Sequence, residues 1–86
     1  MRETLQEEVT VLSLYDRSHQ DVRPVKLKWQ GKEYRITKLG MHHMVRQGRT
    51  LYHIFSVTDG HNFFRLSLNT ENLHWTLEGI HDGLAD

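Results

Sequence analysis

The chain of 86 residues has no cysteine, a single proline and no unbroken run of more than two apolar residues. Without cysteine it forms no disulfide, no thiolate metal site and no cysteine nucleophile. Small secreted domains usually need disulfides, so we expect a cytoplasmic protein. A membrane-spanning helix needs about 20 apolar residues. Nothing in the sequence approaches that length, so we expect no membrane partner.

The organisation of the chain is uniform. No internal repeat and no linker-like segment divides it, and its length leaves room for one hydrophobic core. We therefore predict one domain over residues 1–86. Short stretches of alternating apolar and polar residues, separated by turn formers, are typical of β-strands.

Two turns in the second half of the chain predict a consistent register. The Asp-Gly pair at 59–60 favours a two-residue type I′ loop, which places Phe55 opposite Phe64. The turn formers at 69–72 predict the next loop. Both hairpins assign the same side chains to one interior face. These are Leu51, His53, Phe55, Phe64, Leu66, Leu68, Leu73, Trp75 and Leu77.

The first half of the chain predicts a further hairpin and a bent strand. The pair at 31–32 closes a turn that places Trp29 opposite Tyr34. Residues 33–46 follow as one strand that is too long to be straight. We expect a bend or a bulge at Gly40, because glycine has no Cβ to resist unusual backbone dihedrals.

The segment Val9–Tyr15 is rich in β-branched and apolar residues and predicts an N-terminal strand. With it the count reaches six. The fold predicted from the sequence is therefore all-β, a six-stranded antiparallel meander curled into a small SH3-like or OB-like barrel.

The charges are unevenly distributed although they sum to zero over the whole chain. Residues 24–50 hold seven basic residues against Glu33 alone, a net charge of +6. Clustered cations bind nucleic-acid phosphates irrespective of base sequence, so this block predicts a nucleic-acid site. The alternative is a solvated strand face whose lysines protect a sheet edge. The candidate residues are Lys26, Lys28, Arg35, Lys38, Arg46 and Arg49.

A second candidate surface is apolar. Tyr52, Ile54 and Phe63 fall between the interior residues and so point to the opposite face of the sheet. Such a cluster is either covered by a second layer, for example the N-terminal strand, or exposed as a contact for a partner. These three residues are the candidate partner-binding site. The corresponding function is a protein-interaction adaptor or homodimerising module that acts through a strand edge or this patch.

Histidine is abundant, with seven residues. Zinc needs three or four ligands converging on one point, and neighbouring strand residues such as His42 and His43 point to opposite faces. His43 and His53 are the best metal candidates, but a partly buried, hydrogen-bonded histidine is the commoner arrangement. No nucleophile elbow, phosphate loop or dinucleotide motif is present, so we expect no catalytic residue, no cofactor and no enzymatic activity.

The hairpin around residue 31 follows a known pattern of aliphatic, Trp, Gly, Tyr and aliphatic positions. The matching residues are Val25, Trp29, Gly31, Tyr34 and Ile36, while Leu27 departs from the usual aromatic. Over about residues 24–82, the chain resembles an uncharacterised family of small bacterial β domains. These domains occur near, or fused to, Y-family translesion DNA polymerases. The resemblance implies a non-catalytic accessory factor in DNA repair or replication, and it carries over no catalytic residue.

Overall fold

The computed structural model describes residues 2–18 and 20–82, which form an all-β structure. These residues contain seven strands, one more than the sequence predicts. They are β1 (Arg2–Asp16), β2 (Asp21–Trp29), β3 (Lys32–Arg35), β4 (Lys38–Gln47), β5 (Thr50–Thr58), β6 (Phe63–Asn69) and β7 (Trp75–His81). One sheet in the order β3-β2-β1-β7-β6-β5-β4 curls through 182° into an open half-barrel. The predicted antiparallel meander is confirmed.

The hydrophobic core lies on the concave face of the half-barrel. Tyr34 of β3 contacts Phe64 of β6 edge to face, with ring centroids 5.2 Å apart, although three strands separate β3 from β6 in the sheet. Burial of each large apolar side chain here contributes roughly 1.5–3 kcal/mol. The predicted interior is confirmed for six residues that are at most 8% exposed: Phe55, Phe64, Leu66, Leu68, Trp75 and Leu77.

The β5–β6 hairpin has the predicted faces but a different register. Phe55 pairs with Leu66 rather than with Phe64. The loop contains four residues, 59–62, because the Asp59 carboxylate accepts hydrogen bonds from two later backbone amides at 2.9 and 2.8 Å. A shift of two residues keeps every side chain on its own face. The buried residues of this hairpin were therefore assigned to the core correctly from a wrong register, whereas Leu51 and His53, which were also assigned there, are half-buried.

The β6–β7 loop corrects one predicted core residue. Leu73 has a left-handed backbone conformation with φ 63°, and its side chain is 69% exposed. The loop is longer than predicted, since the amide of Leu73 donates to the carbonyl of Asn69 at 2.7 Å and the next strand begins only at Trp75. Leu68, rather than Leu66, therefore faces Trp75.

The predicted strand 33–46 is divided into two strands at opposite edges of the sheet. The interruption lies at Ile36 and Thr37. The amide of Ile36 donates to the carbonyl of Val25 in β2 at 3.0 Å, and the amide of Thr37 donates to the carbonyl of Thr58 in β5 at 2.9 Å. The backbone amides of two consecutive residues thus hydrogen-bond to strands on opposite sides of the opening of the half-barrel, which is the gap between its two edge strands. These hydrogen bonds join the two edges of the sheet at one corner.

Of two predicted turn or bulge positions, one is confirmed and the other is displaced. Gly40 lies at a register shift between β4 and β5, as a bulge there predicts, although the predicted strand is divided elsewhere. The β2–β3 turn consists of Gln30 and Gly31, with φ of 53° and 75°, as a type I′ turn requires. Tyr34 consequently faces Leu27 instead of the predicted tryptophan.

Strand β1 lies in the middle of the sheet, between β2 and β7. It has fifteen residues, and Val9 and Val11 pack against the core. The sequence-based suggestion that this strand covers the opposite face as a second layer is therefore wrong. Within the described chain, no helix is long and apolar enough to cross a membrane.

Candidate functional site

The predicted basic site is divided between two parts of the sheet. On the convex face of β2 and β3, Lys26 lies opposite Arg35, and Lys28 lies opposite Glu33. The Glu33 carboxylate is 3.6 Å from the Lys26 ammonium. Because this acid offsets one of the cations, the surface that remains is small and only moderately basic.

The other three predicted cations lie in β4 or in the turn after it. Lys38 begins the strand and Arg46 lies one residue before its end. At about 3.3 Å per residue, these two positions are roughly 26 Å apart. Arg49 lies in the turn between β4 and β5. The six predicted residues therefore do not form one compact patch.

The predicted apolar site is only partly exposed. Ile54 is 5% exposed and does not belong to an exposed patch, which corrects the prediction. Phe63 is 43% exposed, and its ring stacks on His81 with centroids 5.0 Å apart. Tyr52 is half-buried, and together with Ile54 it lines a shallow, mostly polar groove of about 400 Å³ on the convex face.

Two histidines contact each other on the concave face of β4 and β5. His42 Nε2 lies 2.7 Å from His53 Nδ1, and the His42 ring stacks on Phe55 with centroids 4.4 Å apart. His42 Nδ1 lies 3.6 Å from the carboxylate of Asp21, at the start of β2. Burial lowers the pKa of His53 and His42 lowers it further, while Asp21 opposes both. This is the partly buried, hydrogen-bonded arrangement expected for histidine, formed by His42 rather than His43.

The geometry of this pair suits a proton and leaves no space for a metal ion. The rings lie end to end, with centroids 5.0 Å apart and an interplanar angle of 23°. A tetrahedral zinc ion with bonds of about 2.0–2.1 Å holds two ligand nitrogens roughly 3.3 Å apart, which is more than the 2.7 Å between these two atoms. His43 lies opposite Ile54 on the convex face, so the predicted pair of His43 and His53 does not form. No three His, Cys, Asp or Glu side chains in ranges 2–18 and 20–82 are grouped to hold a metal.

The exposed side of β4 is the feature that the sequence prediction missed. β4 is ten residues long and is the last strand of the sheet, so within the described chain no strand pairs with its outer side. Leu39, Met41 and Met44 are 38%, 56% and 61% exposed. The sequence did contain an indication of this exposed strand. In β4, apolar residues occupy both odd and even positions, which does not fit a strand with one solvated face.

The charged residues of β4 and β5 themselves are all basic. No aspartate or glutamate lies between Tyr34 and Thr58. The nearest acids in contact with this hairpin come from other segments: Asp21 beside His42, and Glu71, which accepts a hydrogen bond from Thr50 at 3.0 Å. Strand β4 therefore has the two exposed methionines at its centre, with exposed His43 between them, and cations towards both ends.

Comparisons with known proteins give no assignment for this arrangement. No family model, no curated protein and no solved structure matches the chain.

Proposed function

We propose that this protein is a non-catalytic protein-interaction module that binds an extended segment of a partner along the outer side of β4. An unpaired strand edge presents free backbone amides and carbonyls, to which a partner strand adds by β-augmentation. Backbone hydrogen bonds provide affinity, and the side chains on either face provide specificity. The observation that carries the proposal is the long, unpaired and partly apolar edge of β4.

The two edges of the same sheet support this assignment by their contrast. β3 has four residues, and Lys32, Glu33 and Arg35 are exposed on it. Short, charged edges are the usual protection against unwanted pairing. β4 has ten residues, and its exposed apolar side chains include Met41 and Met44. Of the two edge strands in the described part of the chain, β4 is therefore the longer and the less charged, and Lys38 and the register shift at Gly40 interrupt it only near its start.

The fold that presents this edge is, in this proposal, an SH3-like or OB-like small barrel in a cytoplasmic protein. The bonds of Ile36 and Thr37 to the two sides of the opening support it. The contact of Asp21 with His42 supports it further, because it spans the same opening on the concave side. Slow amide exchange at Ile36 and Thr37, comparable with that of β6, is the expected result. Fast exchange at both would contradict closure at this corner.

A random twelve-residue peptide library, selected on the immobilised full chain, tests the edge directly. We expect selected peptides to bind the wild type, to shift the amide resonances of β4, and to lose binding in the double variant Met41→Lys, Met44→Lys. Leu73→Lys is the matched control, because Leu73 is 69% exposed and lies in the β6–β7 loop. Peptides that bind the double variant as well as the wild type would overturn the proposal.

Self-association is a distinct outcome of the same edge chemistry. Light scattering of the purified chain decides it. A dimer that the Met41→Lys, Met44→Lys variant abolishes would identify the partner strand as a second copy of this chain. A dimer that persists in this variant would place the association elsewhere and contradict the role of β4.

A second candidate function is nucleic-acid binding by the convex face of β2 and β3. The direct cross-strand pairing of Lys26 with Arg35, with Lys28 two residues along, favours it. Fluorescence anisotropy with labelled single- and double-stranded DNA at low salt tests it. Replacement of Lys26, Lys28 and Arg35 by alanine should abolish binding, whereas replacement of Lys38 and Arg46 should not. Equal effects of the two sets would remove this candidate.

A further inference from the structure

We infer that the partner strand accepted by β4 is acidic at its ends and apolar at its centre. The inference rests on the proposed edge function and specifies its partner chemistry. Residues between Tyr34 and Thr58 include arginine, lysine and histidine but no carboxylate. A strand docked here therefore meets cations of the protein without a neighbouring acid on the same hairpin to neutralise them.

The cations are placed at the two ends of the edge. Lys38 begins β4, and Arg46 and Arg49 lie at and beyond its other end. Met41 and Met44 lie between them and are 56% and 61% exposed. Because alternate residues of a strand point to opposite faces, these two methionines offer an apolar contact on each face of a docked strand.

The similar charge at the two ends of β4 affects the direction in which a partner strand can bind. Both ends of β4 are cationic, so a segment with acids at both ends is complementary in the parallel and the antiparallel direction. About nine extended residues span roughly 30 Å, which matches the ten residues of β4. Lysine at the ends of such a segment would face Lys38 or Arg46, and like charges across a contact disfavour binding.

A nucleic-acid strand is the other polyanion that these cations would attract. Single strands bind through aromatic side chains on which the bases stack, in addition to the phosphate contacts. The exposed apolar side chains of β4, namely Leu39, Met41 and Met44, are aliphatic or thioether groups, and the exposed imidazole of His43 lies between the two methionines. This composition favours a peptide over an oligonucleotide as the occupant of the edge.

Three synthetic nine-residue peptides test the inference. Each has alternating valine and threonine at its centre, and two glutamates, two glutamines or two lysines at each end. By isothermal titration with the full chain at low salt, we expect the glutamate peptide to bind about tenfold more tightly than the glutamine peptide. The lysine peptide should not bind. The preference for glutamate should diminish as salt is raised, because exposed charges are screened.

A charge reversal provides the matched variant. Arg46→Glu with Arg49→Glu should weaken binding of the glutamate peptide and allow the lysine peptide to bind, whereas Lys32→Glu, which reverses an exposed charge on β3, should change neither. Equal affinity for the glutamate and glutamine peptides would overturn the inference and leave strand addition intact. Peptide binding that survives Met41→Lys, Met44→Lys would overturn both. Displacement of the glutamate peptide by a single-stranded oligonucleotide that binds β4 more tightly would overturn the partner class.

Discussion

His42 and His53 form an imidazole-to-imidazole contact of 2.7 Å between neighbouring strands, beside the core ring of Phe55. Such a bond needs one nitrogen to donate and the other to accept. It therefore survives only while at least one of the two rings is neutral. The carboxylate of Asp21 approaches His42 from β2, so the pair also links the two sides of the barrel opening.

The first prediction is that stability falls on mild acidification. Burial and the neighbouring His42 lower the pKa of His53, so in the relevant range the unfolded chain binds more protons than the folded one. Stability should be complete above the unfolded value of about 6.5 and decrease as the pH falls through the lower folded value. Urea unfolding at about pH 7.5 and about pH 5 measures this, with a lower midpoint expected at the acidic pH.

Variants of two histidines on opposite faces of the sheet identify the group responsible for this pH dependence. His53→Gln should flatten the pH profile, whereas His43→Gln should leave it unchanged, because His43 lies on the convex face. A profile that is equally steep in both variants would show that other groups carry the dependence.

The second prediction concerns the loop after β5. Burial opposes ionisation of Asp59, but the backbone amides of Asn62, His61 and Asp59 itself outweigh it and lower the pKa of the carboxyl group. The stability that this group contributes should be present above about pH 4 and be lost as the pH falls through the lower folded value. At neutral pH, Asp59→Ala should lower the free energy of unfolding by about 1–2 kcal/mol.

Asp59→Asn is the control for this variant. Its side-chain oxygen still accepts the two amide hydrogen bonds, so it should retain most of the stability at neutral pH and lose the acid dependence. Urea unfolding of both variants at neutral and acidic pH tests this. A loss in Asp59→Asn as large as in Asp59→Ala would contradict the role assigned to the hydrogen bonds.

The third prediction is that two glycines differ in how much their replacement by alanine destabilises the fold. Gly60 has φ 102°, a conformation that side chains other than glycine rarely adopt, and Gly60→Ala should destabilise the fold by about 1–2 kcal/mol. A Cβ at Gly40 would lie 3.4 Å from the Ser56 carbonyl oxygen, an ordinary contact. Gly40→Ala should therefore change stability by less than about 0.5 kcal/mol. Thermal unfolding of both variants decides this, and a larger effect at Gly40 would contradict it.

The fourth prediction tests the core. Phe55 is fully buried, contacts Trp75 and supports the histidine pair, so Phe55→Ala should cost about 3–5 kcal/mol. Leu73→Ala should cost no more than about 0.5 kcal/mol, because Leu73 is exposed. Chemical denaturation provides both values. Similar losses in the two variants would mean that the exposed loop leucine packs against the protein.

Side-chain direction could be predicted from the sequence because it depends only on alternation, whereas register depends on loop geometry. Phe55, Leu66 and Trp75 were assigned to the interior correctly, although their partners were displaced by two residues. The displacement between β5 and β6 follows from the Asp59 carboxylate, which closes a four-residue loop where Asp-Gly alone favours a two-residue loop. The displacement between β6 and β7 follows from the longer loop before Trp75. When the pairing of two strands is displaced by an even number of residues, each side chain stays on the same face of the sheet.

The candidate site was less predictable because it depends on long-range topology. His42, rather than His43, contacts His53 because the β4–β5 turn consists of two residues, Gly48 and Arg49, which fixes which face each histidine occupies. The division at Ile36 and Thr37 was hidden because both flanking segments fit one continuous strand. Without that division, β4 could not be identified as an edge, and its exposed methionines had no evident role.

The position of β1 beside β7 has a consequence for how the molecule assembles. The hairpins of β1–β3 and of β4–β7 can each form from nearby residues, but within the described sheet these two groups are joined only through the β1–β7 ladder. During synthesis, β1 must therefore wait for β7 before its second side is covered. Contacts between such distant residues slow folding. The unpaired side of β1 is thus a transient aggregation hazard for which the nascent chain would benefit from chaperone protection.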